Sequence, residues 1–314
     1  MYMPGSKWTW SFMLIALFQC LISSALEAYV FAKFESSVTD SSRELDPPPS
    51  QTLTIPTYLA IFIFGFVYQL VLVWDALRLM NTIQVIGVCI YNVGMLIYAS
   101  VEMNQVDTAI GVLQSRNLIY AGTYEALRPY LIAGPCIIAL GTVLLSGVAW
   151  KLYREFAWTI YQQISADLAL TRRYRTYQIY IALLKFDFFF FLGFTIQFLV
   201  VVEGTTAAEF WLTVAAIPIT VALLFLAAFF TRRESYAGQT CIIIVYFAAA
   251  AYFVFKLVRM YASSASRQLE YMPARRSLTT FAVLTLLLLI VTIVIAFICM
   301  RNFNKGLGPH IRKR

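Results

Sequence analysis

Long apolar runs separated by short polar stretches organise this chain. A helix of about 20 apolar residues crosses the roughly 30 Å hydrocarbon core of a bilayer, and the sequence has eight runs of about this length. The predicted spans are 10–31, 58–74, 83–101, 130–150, 177–202, 210–230, 240–260 and 278–300. The pattern therefore predicts an all-α, polytopic transmembrane helical bundle over residues 1–314, with a seven-span arrangement as the alternative.

Two features of these runs can be interpreted in more than one way. Only residues 75–81 separate the second run from the third, which favours a tight hairpin between two spans. The first run follows Lys7 and reaches small residues, as a signal peptide would. Its length and the Glu27 that follows favour a retained membrane anchor instead.

The distribution of basic residues predicts the orientation. Lys and Arg are enriched in cytoplasmic loops, and placing both termini in the cytosol collects 14 basic residues against four acidic ones on that side. The basic residues are Lys7, Arg78, Lys151, Arg154, Arg172, Arg173, Arg175, Arg232, Arg233, Arg301, Lys305, Arg312, Lys313 and Arg314, and the acidic ones are Asp75, Glu155, Asp167 and Glu234. Acidic residues, among them Glu102 and Glu125, fall mostly on the opposite side. Arg267, Arg275 and Arg276, between the last two spans, are basic residues that this orientation places on the opposite side. Either late spans influence topology less than early ones, or the span count is off by one.

Two segments outside the spans have distinct patterns. Residues 34–57 are rich in Ser, Thr and acidic residues and contain three consecutive prolines, which predicts a flexible lumenal loop. Residues 151–176 predict a cytoplasmic amphipathic helix, because apolar residues recur every fourth position between polar ones. The recurring residues are Phe156, Ile160, Ile164 and Leu168. Such a helix either lies in the membrane interface or docks a partner.

Composition agrees with a membrane protein. Hydrophobic residues make up 61% of the 314 residues and charged residues 13%, with a mean hydropathy of +0.74, whereas an average soluble domain is about 25% charged. The net charge of +8 follows from the basic loops. No nucleic-acid partner is expected. The expected partners are the lipid bilayer, anionic lipid head groups near the tail 301–314, and cytosolic sorting or scaffold proteins.

The residue inventory gives no support for catalysis or metal binding. The one histidine, His310, lies in the terminal tail, and the five cysteines fall singly in five different spans. No metal, cofactor or disulfide is therefore expected. The sequence contains no G-x-S-x-G, no H-E-x-x-H and no phosphate-binding glycine-rich pattern, so an enzyme is unsupported.

Ionisable residues inside the predicted spans are the first functional candidates, because a charge there costs about 2.5–3.5 kcal/mol on insertion scales. Lys185 and Asp187 lie two residues apart in the fifth span, which places them on nearly opposite sides of the helix. Asp187 therefore needs a donor from another helix. Its role is either a structural hydrogen bond or a proton or cation relay.

Further polar residues complete the candidate set. Glu27 has Lys256 and Arg259 as predicted partners near the same end of the bundle, and Asp75 and Arg78 form a second predicted pair. Gln69, Gln84, Asn92 and Gln197 add hydrogen-bonding groups within the spans. These residues either line one polar cavity or form scattered helix contacts, and the sequence leaves both open. The candidate cytoplasmic interaction residues are Arg172, Arg173, Arg175, Asp75 and Arg78.

Several motifs from the second span onward point to a known family. They are Trp74–Arg78, Asn81–Gln84, Trp150–Tyr161, Arg172–Gln178, Lys185–Phe191, Phe194–Phe198, Phe255–Arg259 and Met300–Leu307. In these segments the chain resembles an uncharacterised group of fungal multi-span proteins called Golgi apparatus membrane proteins. The resemblance implies a fungal source and a Golgi or other endomembrane location, and it carries no established activity.

Three classes of function are compatible with these patterns. The leading hypothesis is a non-catalytic membrane factor, receptor-like, scaffolding or trafficking, which accounts for the basic cytoplasmic side. The alternative is a transporter or channel for an ion or small solute that uses the polar groups of the bundle. An intramembrane or lipid-modifying enzyme is the third.

Overall fold

Eight long helices form the structure, a computed structural model that describes residues 5–39, 50–120, 122–163, 168–201, 207–262 and 275–305. The helices within these ranges are α1 Lys7–Ser37, α2 Ser50–Arg78, α3 Thr82–Ser115, α4 Thr123–Gln163, α5 Leu168–Val201, α6 Ala207–Arg232, α7 Tyr236–Ala262 and α8 Arg275–Arg301. All eight are long and apolar enough to cross a membrane. The prediction of a helical membrane bundle with eight spans is confirmed for the described ranges.

Some predicted features lie outside these ranges. They are the three prolines at 47–49, residues 164–167 of the amphipathic helix, Val202 at the end of the fifth predicted span, Arg267 in the last interhelical segment, and the tail 306–314.

Both described ends of the chain lie at the same end of the bundle. Ser6 Oγ donates a hydrogen bond to Glu155 Oε2 near the end of α4 (2.8 Å), and Arg173 at the start of α5 donates one to the backbone oxygen of Lys305 (2.6 Å). We call this end the basic face and the other end the opposite face. Among the residues at the basic face are Lys7, Arg78, Arg172, Arg232 and Arg301. That the basic face is cytoplasmic remains a prediction from loop charge.

The helices pack as two consecutive rings of four. In the first ring, α1 and α3 each pack against both α2 and α4. In the second ring, α5 and α7 each pack against both α6 and α8. The rings meet at a junction where α5 contacts α2 and α3, and α8 contacts α3.

Aromatic side chains fill the centre of this junction. The rings of Phe189 and Phe190 on α5 both contact Tyr91 on α3 and Phe281 on α8. Phe189 also stacks on Tyr68 of α2, with ring centroids 5.8 Å apart. Four consecutive phenylalanines, 188–191, present rings on all sides of α5, so this helix packs against several neighbours at once.

A three-residue turn, 79–81, joins α2 to α3 where the sequence predicts a tight hairpin. The Asn81 side chain accepts hydrogen bonds from the backbone N–H groups of Ile83 (3.1 Å) and Gln84 (3.3 Å), which caps the start of α3. Met80 occupies the left-handed region, with a φ of 48°. The hairpin therefore depends on one side-chain cap and one strained backbone position.

The first ring extends beyond the predicted spans at the opposite face. Residues 34–37, 50–57 and 102–115 are helical, although the sequence predicted a flexible loop at 34–57 and an end of the third span at Val101. The reason is a separate apolar cluster, which we call the cap, where these extensions pack against one another instead of ending at the lipid boundary. It consists of Val30, Phe34, Ile55, Leu59, Val106, Ala109, Ile110, Leu113, Leu118, Ile119, Leu127 and Leu131.

The segment predicted as an amphipathic helix belongs to two helices in the structure. Residues 151–163 continue α4, and residues 168–176 begin α5. Leu152 and Phe156 are buried in the main core. The apolar side of this part of α4 therefore faces the bundle.

Candidate intramembrane polar sites

Lys185 links α5 to the hairpin of α2 and α3. Its ammonium group donates hydrogen bonds to Asp75 Oδ2 and to Gln84 Oε1 (3.0 Å). Gln84 Nε2 in turn donates to the same Asp75 oxygen (2.8 Å). The Tyr68 hydroxyl donates to the backbone oxygen of Lys185 (2.7 Å). Since Asp75 and Gln84 lie close to the hairpin turn, the lysine extends towards the basic face, and its charge is neutralised within the bundle.

Asp187 lies on another side of α5 and contacts α8. Its Oδ2 accepts a hydrogen bond from the Thr292 hydroxyl (2.6 Å), while Oδ1 has no hydrogen-bond partner in the described ranges. The side chain is 6% exposed. The two-residue spacing thus separates Lys185 and Asp187 into different contacts, and Asp187 keeps one buried carboxylate oxygen available.

A fully bonded polar network lies in the second ring. It contains Tyr180, Thr231, Gln239 and Tyr246, all buried. Gln239 Nε2 donates to the Tyr180 hydroxyl (3.1 Å), Gln239 Oε1 accepts from Thr231 (2.8 Å), and the two tyrosine hydroxyls are 3.1 Å apart. Because its polar atoms have partners, this network is sufficiently explained by helix packing.

A larger polar cluster occupies the junction of the two rings, towards the opposite face. Ser277 Oγ donates to Gln197 Oε1 (2.5 Å), and Gln197 Nε2 donates to the Tyr98 hydroxyl (3.0 Å). The Tyr58 hydroxyl lies within hydrogen-bonding reach of Ser277 and Gln105. We call this set the polar cluster: Glu27, Tyr58, Tyr98, Glu102, Gln105, Gln197 and Ser277. Its members come from α1, α2, α3, α5 and α8, so both rings contribute.

Glu27 and Glu102 form an acid pair within the polar cluster. The two carboxyl groups are close enough to interact electrostatically, and each also interacts with Tyr98. Glu27 is 7% exposed and Glu102 is 2% exposed. Oε2 of Glu27 and Oε1 of Glu102 lack hydrogen-bond partners among the described residues. Neither carboxylate has a cationic partner among the described residues, so their mutual repulsion favours the binding of a proton or another positive species.

The acid pair lies at the far edge of the predicted hydrocarbon layer. Glu27 follows Lys7 by 20 residues, and Glu102 follows Thr82 by the same number. Each carboxyl group is therefore about 30 Å along its helix from the basic face, which is about the thickness of the hydrocarbon core. The cap continues both helices beyond this depth and covers the acid pair on the side of the opposite face.

The two ion pairs predicted from the sequence are replaced by other contacts. Glu27 forms no salt bridge with Lys256 or Arg259 in the described part of the chain. The Lys256 ammonium lies 3.8 Å from the centroid of the Phe198 ring instead. Asp75 bonds to Lys185, and the Arg78 guanidinium lies over the Trp74 ring at 5.2 Å. The sequence predicted that these residues lie near the same end of the bundle. It did not show which helices are neighbours, so it did not identify their partners.

Asn92 forms a reciprocal amide pair with Gln19. Gln19 Nε2 donates to Asn92 Oδ1 (2.9 Å), and Asn92 Nδ2 donates to Gln19 Oε1 (3.1 Å). This pair joins α1 to α3 within the first ring. Gln69 of α2 is also buried, and neither polar atom of its side chain has a partner in the described ranges. Of the predicted polar residues, Gln197 belongs to the polar cluster and Asn92 does not.

The three arginines at the start of α5 have different surroundings. Arg173 donates to the backbone oxygen of Lys305 and so holds the segment after α8 against α5. Arg172 and Arg175 are exposed at the basic face. These two are therefore accessible for contact with lipid or protein, whereas Arg173 has a structural contact.

Several residues of these sites were missed from the sequence. Glu102 was placed in an opposite-side loop, because the third span was predicted to end at Val101. Tyr58, Tyr98 and Ser277 were not singled out, since tyrosine and serine are common in the bundle. The available signal for Glu102 was the continuing helical pattern of Val106, Ile110 and Leu113, which the cap buries.

The acid pair is suited to binding a proton. Among the described residues, no group of three or more His, Cys, Asp or Glu side chains is placed to hold a metal ion. The acid pair instead offers two carboxyl groups with hydroxyl and amide neighbours. Such a group can take up and release a proton inside a low-dielectric bundle.

Comparison with known proteins identifies the family. No protein-family model and no solved structure matches the chain. A UPF0658 Golgi apparatus membrane protein of Schizosaccharomyces pombe is similar to it, with 31% identity over 320 aligned positions that cover 95% of this chain and 88% of the relative. This coverage includes nearly the whole bundle, which confirms the resemblance found in the motifs. The chain is thus a multi-pass membrane protein and belongs to the UPF0658 Golgi apparatus membrane protein family.

Proposed function

We propose that this protein is a proton-coupled transporter in which the acid pair, Glu27 and Glu102, binds the coupling proton. The observation that carries the proposal is the burial of two carboxyl groups in a polar cluster between two rings of helices, where each keeps an oxygen with no hydrogen-bond partner in the described ranges. This was the alternative hypothesis from the sequence. It becomes the leading one because seven buried polar residues from five helices meet in the polar cluster.

Energetics support a functional rather than a structural role for the acid pair. Buried carboxylates are costly unless they are paired or protonated, and ionisable residues within membrane-spanning helices usually mark ion or proton pathways. The pair Gln19–Asn92 joins two helices through reciprocal hydrogen bonds, as a structural contact does. Glu27 and Glu102 differ from that pattern, because each keeps a carboxyl oxygen without a partner among the described residues. A bound proton would relieve the repulsion between the two carboxylates.

The position of the polar cluster suits alternating access. Many transporters move two helical bundles against each other around a site at their interface. Here Glu27 and Glu102 belong to the first ring, whereas Gln197 and Ser277 belong to the second. Rocking of the rings would break the contact between Gln197 and Tyr98 and open the acid pair to one side. Asp187 and Lys185 supply further ionisable groups along α5 towards the basic face.

Flux measurements in vesicles test this proposal. The purified protein is reconstituted into lipid vesicles that contain a pH-sensitive dye. Proton flux is recorded after each member of a panel of inorganic cations and small solutes is added. Glu27→Gln and Glu102→Gln are expected to reduce flux at least about tenfold, because an amide cannot exchange the proton. Glu125→Gln is the matched control, since Glu125 is exposed in the first turn of α4. Absence of flux by the parent protein across the panel, or equal flux by all variants, would contradict transport.

The second candidate is the non-catalytic receptor-like, scaffolding or trafficking factor. The exposure of Arg172 and Arg175 at the basic face favours it, because a cytosolic partner could reach both side chains. Charge reversal at these two arginines should then release bound cytosolic proteins or shift the protein out of the Golgi. Unchanged partners and location would count against this candidate, and the Glu27 and Glu102 variants would not affect it.

A further inference from the structure

An apolar groove runs along the outside of the junction between α3, α5 and α8. Its volume is about 450 Å³. Ile90 on α3 and Leu287 on α8 stand on its two edges with well-exposed side chains. Tyr91 is the polar residue along it, but its hydroxyl donates to the backbone oxygen of Gly65 (2.9 Å) and points away. The groove therefore offers hydrocarbon contacts to its occupant.

Two glycines on α3 give the groove its depth. A Cβ atom added at Gly87 would lie 2.5 Å from the Phe186 ring, and one added at Gly94 would lie 3.1 Å from the Phe190 ring. Because no side chain projects from these positions, the phenylalanines pack directly on the α3 backbone. The space above them stays open between the edges, so the groove is built into the helix contacts.

The dimensions of the groove match one lipid tail. Along α3 it extends from Ile83, the second residue of the helix, to Ile97. Ile97 follows Ile83 by 14 residues, which correspond to about 21 Å of helix, whereas one leaflet contributes about half of a 30 Å hydrocarbon core. The groove therefore begins at the basic face and is long enough for an acyl chain of the adjacent leaflet.

Basic side chains continue the line of the groove at its basic-face end. On α5 the groove is lined from Ile179 to Phe190. Arg175 precedes Ile179 by four residues and Arg172 precedes it by seven, so both arginines lie on the same stripe of the helix. Both are exposed. A lipid with its tail in the groove would place its head group next to two guanidinium groups.

We infer that this groove is a specific binding site for an anionic phospholipid, with one acyl chain between α3, α5 and α8 and its phosphate head group held by Arg172 and Arg175. The charge of the arginines and the apolar walls together define this occupant, because guanidinium groups bind phosphate with directed hydrogen bonds. The inference is independent of the proposed transport.

Lipid titration of the purified full chain tests the site. Binding of phosphatidylserine and of phosphatidylcholine with identical acyl chains is measured by native mass spectrometry in detergent. The double variant Arg172→Gln with Arg175→Gln is expected to bind phosphatidylserine about 30-fold more weakly, because each basic residue near an anionic head group contributes about fivefold. Its binding of phosphatidylcholine should weaken less, because the choline cation of that lipid offsets the phosphate charge that the arginines attract.

Variants of the groove and matched controls separate a specific site from general surface attraction. Ile90→Trp or Leu287→Trp should weaken binding of both lipids by filling the groove. Lys151→Gln with Arg154→Gln removes two exposed charges from α4, which does not line the groove, and Val143→Trp adds bulk to an exposed position of α4. Neither control should alter binding. Equal binding by the arginine double variant, or equal weakening by the α4 controls, would overturn the inference.

Discussion

Lys185 on α5 donates hydrogen bonds to Asp75 and to Gln84, which belong to the two helices of the α2–α3 hairpin. Replacing it by methionine leaves the Asp75 carboxylate without its cation inside the junction. We expect Lys185→Met to lower the free energy of unfolding by about 1–2 kcal/mol, because hydrogen bonds to charged groups contribute about this much and both side chains are partly exposed. Unfolding by denaturing detergent in mixed micelles measures the change.

Arg78→Met is the control for this prediction. The Arg78 side chain is exposed, and its guanidinium lies over the Trp74 ring. An exposed cation–π contact contributes about 0.5–1 kcal/mol, so the loss should be smaller than for Lys185→Met. Similar losses for the two variants would mean that the link between α5 and the hairpin is not a main contact of the junction.

Asp187→Asn separates the structural and ionic roles of this residue. The amide oxygen can still accept the hydrogen bond of Thr292, so the free energy of unfolding should change by less than about 1 kcal/mol. If Asp187 takes part in proton transfer along α5, flux in vesicles should fall at least about tenfold. Normal flux together with normal stability would mean that Asp187 has only a structural role. Thr292→Val would then measure the contribution of the hydrogen bond between Thr292 and Asp187 to stability.

Gly141 on α4 packs against Gln19, which forms the amide pair with Asn92. A Cβ atom added at Gly141 would lie 2.6 Å from Cδ of Gln19. Gly141→Val should therefore displace Gln19, break the pair and cost about 1–3 kcal/mol through overpacking. Gly147→Val on the same helix is the control, because a Cβ atom there meets no atom within 4 Å. A similar melting temperature for both variants would contradict close packing at Gly141.

Two substitutions in the hairpin turn should change the free energy of unfolding in opposite directions. Asn81→Ala removes the cap of α3 and should lower the free energy of unfolding by about 1 kcal/mol. Met80→Gly should raise it by up to about 1 kcal/mol, since glycine adopts a positive φ without steric cost. Both effects are measured by thermal unfolding in detergent. Destabilisation by Met80→Gly would show that the methionine side chain matters more than the backbone strain.

The features of the fold that depend on a single helix were predictable from the sequence. Run length and hydropathy identified all eight spans, and the short segment 75–81 identified the hairpin. The separation of Lys185 from Asp187 followed from their spacing of two residues. Each of these properties depends on one helix and its immediate neighbours in the chain.

Contacts between distant helices were not predictable in the same way. Helical phase gives the side on which Asp187 lies, but it does not reveal that α8 supplies Thr292. Glu102 was missed because the length of α3 depends on the cap, whose residues come from four helices and from the segment after α3. The pairing of Glu27 with Glu102 rather than with a cation likewise depends on the order of helices around the first ring.

Each ring is built from four helices that are consecutive in the chain, and this has a consequence for biosynthesis. The first ring can assemble in the membrane while the second is still on the ribosome, because it needs no contact from later helices to close. The polar cluster, however, is completed only when Gln197 and Ser277 have been inserted. Newly made protein would therefore pass through a stage with a closed first half and an unfinished polar cluster, at which a chaperone or quality-control factor could recognise Glu27 and Glu102.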